Sequence, residues 1–305
     1  MTTPRIAVLG SANIDLVCRV PHLPKPGETV RATSVSRYRG GKGANQAVAA
    51  ARLGADVRFY GMVGQDSFGD MLVSGFEENG VDISAIERSA SSASGTATIW
   101  VAESGENSIV IAEGANGCVD TEYVDRNLES LIQADVLLLQ FEIPLQTVSH
   151  LLASLPPEKP LVVLDPAPVS ALDGISLARI DCLTPNEEEL FALSGTHDVE
   201  AGVRQLQEIG IKHVICTLGE KGACSTRKGQ PSITTPAFSV SAVDSTAAGD
   251  AFAAALAINL SRGEGAMDME AIVRYACAAG ALATTREGAW PSLPTGAEVR
   301  SLLES

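Results

Sequence analysis

The sequence is poor in the features that mark several large protein classes. Aromatic residues fill 4% of its 305 positions and histidine occurs four times without ligand spacing, so neither a stacking platform for bases nor a histidine metal cluster is signalled. Its six cysteines, Cys18, Cys118, Cys182, Cys216, Cys224 and Cys277, include no Cys-x-x-Cys pair, and reduced, mostly buried thiols are expected. No run of about 18 apolar residues occurs and no long apolar stretch follows a basic start, so neither a membrane span nor a secretory leader is expected. Positive charge is scarce: 22 Lys and Arg against 37 Asp and Glu leave a net charge of −15. That balance argues against non-specific binding to nucleic acid or anionic membranes. Internal repeats, low-complexity tracts and long linkers are missing as well. A cytoplasmic protein is expected, in which any polyanionic ligand must meet a local, organised site.

What is present is a chain 45% hydrophobic with 28 glycines, the profile of an Ala/Val/Leu/Gly-rich α/β protein. Its length is large for one core and small for two full domains, which predicts one main body over residues 1–305 with a modest appendage. Short apolar runs bounded by turn residues predict buried strands at Ile6 to Leu9, Val57 to Tyr60, Val136 to Leu139, Leu161 to Leu164, Cys182 to Leu183 and Val214 to Thr217. Helical patterns lie between them at Ala44 to Leu53, Phe68 to Asn79, Pro144 to Leu155, Asn186 to Leu193 and Glu200 to Ile209. Further helices are expected at Gly249 to Leu260, Ala271 to Thr285 and Ala297 to Leu303. Strands alternating with helices imply a mainly parallel sheet covered on both faces. Ile14 to Val20 with Glu28 to Tyr38, and Thr96 to Val101 with Ser108 to Ala112, read instead as partly polar, hairpin-like strands. Such strands cannot bury a core alone, so they form a lid over a cleft or pair with a second subunit.

The most specific segment is Asp244-Ser-Thr-Ala-Ala-Gly-Asp250, followed at once by an apolar helix. Small residues before a helix let backbone N–H groups point outward, and with the helix dipole they make an anion hole for a phosphate. Asp250 then lies in the first turn, close to the phosphate and to whatever attacks it. The bland alternative is an acid that merely suits a first turn. An aspartate at a helix N-terminus is expected to be a weak base, which suffices for phosphoryl transfer, where positioning and charge stabilisation dominate.

A second motif, Arg39-Gly-Gly-Lys-Gly-Ala-Asn45-Gln, leads into the helix beginning near Ala44. Paired glycines permit close backbone approach, and Lys42 and Asn45 supply directed polar groups. Neither Walker A nor dinucleotide spacing is present, and a plain Gly-rich strand-to-helix turn is the competing reading. Asn13 and Asp15 follow the first strand two residues apart, on one face of an extended segment where they can clamp vicinal hydroxyls, or form an Asx turn. Glu142 follows an apolar strand, at the sheet end that presents ligand groups. In Thr184-Pro-Asn186-Glu-Glu-Glu189, Asn186 and Glu189 either make a capping box or approach Mg²⁺ and phosphate through water. The turn Thr217-Leu-Gly-Glu-Lys-Gly222 can run under a nucleotide or merely join two strands.

Together these segments resemble the ribokinase (PfkB-type) carbohydrate kinase family over nearly the whole chain, in the family's order. The resemblance implies a ribokinase-like three-layer α/β/α fold with a small β-sheet lid, and a kinase, a transferase of carbohydrate metabolism, that phosphorylates D-ribose at the 5-hydroxyl with ATP. A nucleoside, fructose or another sugar is the alternative acceptor, and a sugar-sensing protein without turnover is the rival from another class. By position, the resemblance implies that Asn13, Asp15, Gly41, Lys42, Asn45 and Glu142 hold the sugar and that Asp250 is the catalytic base. Nucleotide positions are Asn186, Thr217, Leu218, Gly219, Glu220, Lys221, Gly222, Ala248, Gly249 and Cys277. An activating K⁺ would be held at Asp244, Thr246, Ala283, Arg286, Gly288 and Ser292, several through backbone carbonyls, and Mg²⁺ near Asn186 and Glu189. A homodimer through the lid strands is implied, with no nucleic-acid or membrane partner. Three positions depart from the family: Ala247 where Gly is common, Cys277 where His or Asn is frequent, and Trp290 near the cation loop where a smaller polar residue is usual.

Overall fold

A computed structural model describes residues 3–169, 172, 174–227, 229–230, 232–262 and 268–305. The chain opens with β1 (Arg5–Leu9), then lays β2 (Asn13–Val20) against β3 (Ser34–Gly40) before α1 (Lys42–Arg52). β4 (Asp56–Gly64), α2 (Ser67–Glu78) and β5 (Asp82–Ser89) follow, then β6 (Gly95–Ala102) and β7 (Asn107–Ala112). Next come α3 (Thr121–Leu131), β8 (Val136–Leu139), α4 (Leu145–Ser154) and β9 (Leu161–Leu164). β10 (Cys182–Leu183), α5 (Glu187–Ser194), α6 (Val199–Glu208) and β11 (His213–Thr217) continue the alternation into β12 (Ala223–Arg227) and β13 (Ile233–Thr235). The chain closes with α7 (Ala248–Leu260), α8 (Met269–Ala283), α9 (Ala289–Ser292) and α10 (Gly296–Glu304).

Thirteen strands among the described residues divide into two sheets. The larger has the order β13-β12-β11-β10-β9-β8-β1-β4-β5. All pairings from β11 through β5 are parallel; the β11–β12 and β12–β13 pairings are antiparallel, so β12 alone runs against the other strands. Alternate residues of its central strands enter two separate cores. Ile6 and Val8 of β1, Val136 and Leu138 of β8 and Val163 of β9 pack with α1, α7 and α8. Ala7 and Leu9, Leu137 and Leu139, and Val162 and Leu164 pack on the other face with α3, α4 and α6. A strand buried on both faces needs apolar residues at every position, which is why the central strands read as unbroken apolar runs.

The smaller sheet has the order β3-β2-β6-β7. Both hairpin-like segments are present, but β2 and β6 pair in parallel, so this sheet is mixed. In the stretch expected as Glu28 to Tyr38, pairing starts only at Ser34, and most residues before it are exposed. Val35, Ile109, Val110 and Ile111 stay exposed on this sheet. Elements that sequence reading did not find are β5 and β13, the two edge strands of the larger sheet, β12 beside β13, and α3, a helix that buries only Tyr123, Val124 and Leu131. Half-polar elements of this kind give a weak periodic signal. Among the described residues, no helix is long and apolar enough to cross a membrane.

Candidate active site

The parallel pairing lines up the C-terminal ends of neighbouring strands, and the candidate residues stand along that edge in sheet order. Thr217 ends β11 and Asn186 follows β10; the two form an isolated parallel bridge. Asp165 follows β9, Glu142 follows β8, and the Gly10–Asn13 segment follows β1. An open parallel sheet presents ligand groups at this edge because its crossovers diverge there. β2 then carries Asn13 and Asp15 out of the edge toward the lid.

Two helices bring their N-termini to this row, and their amides differ. In α1 the first turn is satisfied from other elements. Glu142 Oε2 accepts from the Lys42 amide at 3.0 Å, Ser11 Oγ from the Gly43 amide at 3.3 Å, and the Ser11 carbonyl from the Ala44 amide at 2.8 Å. The preceding residue, Gly41, has φ 89°, and a Cβ there would meet the Asn13 amide nitrogen at 2.8 Å. Only glycine reconciles that conformation with that approach.

In α7 the first turn stays open. Ala247 caps it in the left-handed region (φ 62°) without a side-chain bond, and the Ala248 amide donates to the Ser245 carbonyl at 3.2 Å. Among the described residues the amides of Gly249 and Asp250 have no acceptor. A Cβ on Gly249 would meet nothing within 4 Å, so the protein's own packing does not require that glycine. Free amides, a helix dipole and open space at one tip are features that suit an anion.

Asp250 sits at this tip, 5% exposed, in a helix buried continuously from Asp250 to Asn259. Its Oδ2 accepts from Asn45 Nδ2 at 2.9 Å and its Oδ1 from Gln46 Nε2 at 3.2 Å. Gln46 Nε2 also donates to Asp165 Oδ2 at 3.1 Å, and Lys42 Nζ lies 3.7 Å from the same oxygen. Burial pushes the Asp250 carboxyl up to about 6; Asp165 and Glu142 push the same way, and Lys42 and Asn45 offset them only in part. Asp165 is likewise raised to about 6 by burial. The Asp250 carboxylate is therefore more basic than a helix N-terminus alone would make it, because desolvation outweighs the dipole. Asp15 is raised to about 7 by burial and by Glu142 and Asp250. Burial works against the charge on half-buried Lys42, but Asp165, Asp250, Glu142 and Glu189 outweigh it and hold the pKa above its ordinary value.

Toward the lid, Asn13 is buried and its Oδ1 accepts from Asn116 Nδ2 at 2.7 Å. Glu142 Oε2 also accepts from Ser11 Oγ at 2.5 Å. Asn13, Asp15, Gly41, Lys42, Asn45, Glu142 and Asp250 thus lie near one another where the sheet edge, α1, α7 and the lid meet. Sequence reading missed Asp165, Gln140, Asn116 and Ser11, and gave Gln46 no role. Asp165 carried a signal, an acid directly after an apolar strand, the same signal that marked Glu142.

Along the same sheet edge, a groove of about 470 Å³ runs between Asn186 to Glu188 and the turn Thr217 to Lys221. Asn186 and Glu189 form a reciprocal capping box, each accepting from the other's amide at 2.8 Å. Cys277 is buried in α8 within the core shared with α7, and burial raises its thiol to about 11. In the candidate cation loop, Asp244 Oδ1 accepts from the Thr246 amide and hydroxyl at 2.9 and 2.6 Å, and Oδ2 from the Gly288 amide at 2.9 Å. Arg286 turns to Glu298 at 2.5 Å and Ser292 Oγ donates to the Ala289 carbonyl, so Arg286 can offer a cation only its carbonyl. Trp290 packs on Phe76 at 5.3 Å under the Arg39 guanidinium.

A three-layer α/β/α body with a buried carboxylate beside open amides at one helix tip suits the phosphoryl-transfer enzymes that act on small alcohols. More narrowly, the chain belongs to the pfkB family of carbohydrate kinases, whose model matches residues 3–296. It is 40% identical to a ribokinase of Haemophilus influenzae over 98% of both chains. A deoxyribokinase of Salmonella typhimurium is 37% identical over 95% of both. The solved structure of Arabidopsis thaliana ribokinase complexed with ribose and ATP superposes with a TM-score of 0.89, at 33% identity and full coverage of both chains.

Proposed function

We propose that this protein transfers the γ-phosphoryl group of ATP to the 5-hydroxyl of D-ribose, with Asp250 as general base. The observation that carries the reading is the meeting of the buried Asp250 carboxylate with the unpaired Gly249 and Asp250 amides at the tip of α7. Near neutral pH a carboxylate with a pKa of about 6 is ionised and ready to accept a proton. As the sugar oxygen bonds to the γ-phosphorus, its proton passes to Asp250, the bond from phosphorus to the bridging oxygen breaks, and ADP departs. The open amides take up charge on the transferring oxygens without having to reorganise. Asn13, Asp15, Lys42, Asn45 and Glu142 hold the sugar hydroxyls; Asn186 and the Thr217 to Gly222 turn carry the nucleotide.

The metal sites fit their donor sets in different ways. Asn186 and Glu189 are committed to each other, so they reach Mg²⁺ only through its water shell, as that ion's reluctance to dehydrate favours. Asp244, Thr246, Gly288 and the carbonyls of Ala283 and Arg286 suit a monovalent ion such as K⁺, which would steady the loop before α7. Bound Mg²⁺ would offset phosphate charge. The exposed Ile109, Ile111 and Val35 of the lid support a homodimer through that sheet. Six free thiols suit a reducing, cytoplasmic setting.

The deoxyribokinase relative supports a second acceptor, deoxyribose. The deciding experiment is ATP consumption over ribose, deoxyribose, fructose and nucleosides, with Mg²⁺ and with or without K⁺. Ribose is expected to give the highest kcat/KM; turnover only on another acceptor overturns the reading.

A further inference from the structure

Behind Asp250 lies a bridge of buried amides that spans four elements. Gln140, after β8, donates from Nε2 to Gln46 Oε1 on α1 at 2.5 Å. Gln46 Nε2 then divides its two hydrogens between Asp165, after β9, and Asp250 on α7. Gln46 and Gln140 are both fully buried. This pattern allows one orientation of the Gln46 amide. Flipped, its oxygen would face two carboxylates and its NH₂ would face the Gln140 NH₂, with no acceptor for either.

We propose that Gln46 is a positioning residue for the base: fixed by Gln140 and anchored on Asp165, it sets the rotation of the Asp250 carboxylate that faces the acceptor hydroxyl. With Asn45 holding Oδ2 and Gln46 holding Oδ1, the carboxylate plane is defined by one donor on each oxygen. The anchor is itself held, because Lys42 Nζ lies beside Asp165. The charged groups around Asp250 are then Lys42 on α1, Asp165, Glu142 after β8 and Asp15 on β2. A second observation points away from packing as the reason for the bridge. Gln140 Oε1 is buried without a donor, and it fills the space a Cβ on Gly10 would occupy, at 1.9 Å. An unsatisfied buried acceptor destabilises the fold, and apolar side chains of similar size would fill this volume without it.

The inference rests on Asp250 being the base, so the test keeps the two apart. Gln46→Met, nearly isosteric and without a donor, should lower kcat about 10- to 100-fold, since small misplacements of reacting groups cost on that order. Sugar KM and calorimetric sugar affinity should stay within about threefold. In an Asp250→Asn background Gln46→Met should have no further effect, since no base remains to be positioned. A kcat within about twofold of wild type overturns the proposal, as does an equal fold-loss in both backgrounds. If Gln46→Met does not fold, Gln140→Met removes only the orienting amide and carries the same expectations. Undiminished turnover by Asp250→Asn itself would overturn the base assignment, and this inference with it.

Discussion

Asn45 and Asp250 stand 205 residues apart in the chain and 2.9 Å apart in space, Asn45 Nδ2 donating to Asp250 Oδ2. That bond joins the two glycine-rich motifs at the mouths of α1 and α7. It also separates their tasks, because α1 has its first-turn amides satisfied by Ser11 and Glu142 while α7 keeps its own open. One helix start presents side chains, and the other presents charge-stabilising backbone.

Replacing Asp250, the proposed base, tests this division most directly. Asp250→Asn should lower kcat by about 10²- to 10⁴-fold, the usual contribution of general base catalysis. Sugar affinity by calorimetry should change little, because an amide at this position can still meet a hydroxyl.

The pH dependence follows from burial. Activity should fall as pH drops through about 6, where Asp250 takes up a proton. Stability runs the other way for these groups. Asp15, Asp165 and Asp250 have folded values raised above their ordinary carboxylate value, so between about pH 4 and 7 the folded chain binds more protons than the unfolded one, and their contribution declines as pH rises. Asp250→Asn removes one of these titrating groups and should therefore flatten the decline of stability with rising pH relative to wild type. Thermal unfolding of both proteins across pH checks the sign, and a variant whose melting temperature declines as steeply as that of wild type contradicts it.

Gly249 separates catalysis from packing. A methyl group there meets no protein atom, and alanine favours a helix over glycine by up to about 1 kcal/mol. Gly249→Ala should keep or raise the melting temperature while lowering turnover about tenfold or more, by intruding on the phosphate. Unchanged turnover would show that the phosphate binds elsewhere.

Ala247 is the only non-glycine residue with positive φ among those described. The left-handed region costs a non-glycine residue about 1–2 kcal/mol, whereas glycine loses more chain entropy on folding. Ala247→Gly should thus change stability by less than about 1 kcal/mol and kcat by less than about threefold, measured by thermal denaturation and steady-state kinetics.

Much of this architecture is written locally. Unbroken apolar runs such as Val136 to Leu139 identify strands buried on both faces, and Glu142 was legible from its place just after one of them. Asp165 occupies the same kind of place after Leu161 to Leu164, yet its partners, Lys42 and Gln46, come from a helix more than a hundred residues earlier. No local pattern announces such a contact. Strand β5 was missed because its edge position leaves it partly polar, and helix α3 because it buries only Tyr123, Val124 and Leu131.

Sequence alone therefore determined the alternation of strand and helix, the sheet edge that presents ligand groups, and the two small-residue helix starts, because these depend on residues near one another in the chain. Tertiary structure decided which helix tip keeps free amides, which acids are buried side by side, and how far each carboxyl departs from its ordinary value. Those outcomes depend on desolvation and on donors brought in from distant strands, which only the folded chain assembles.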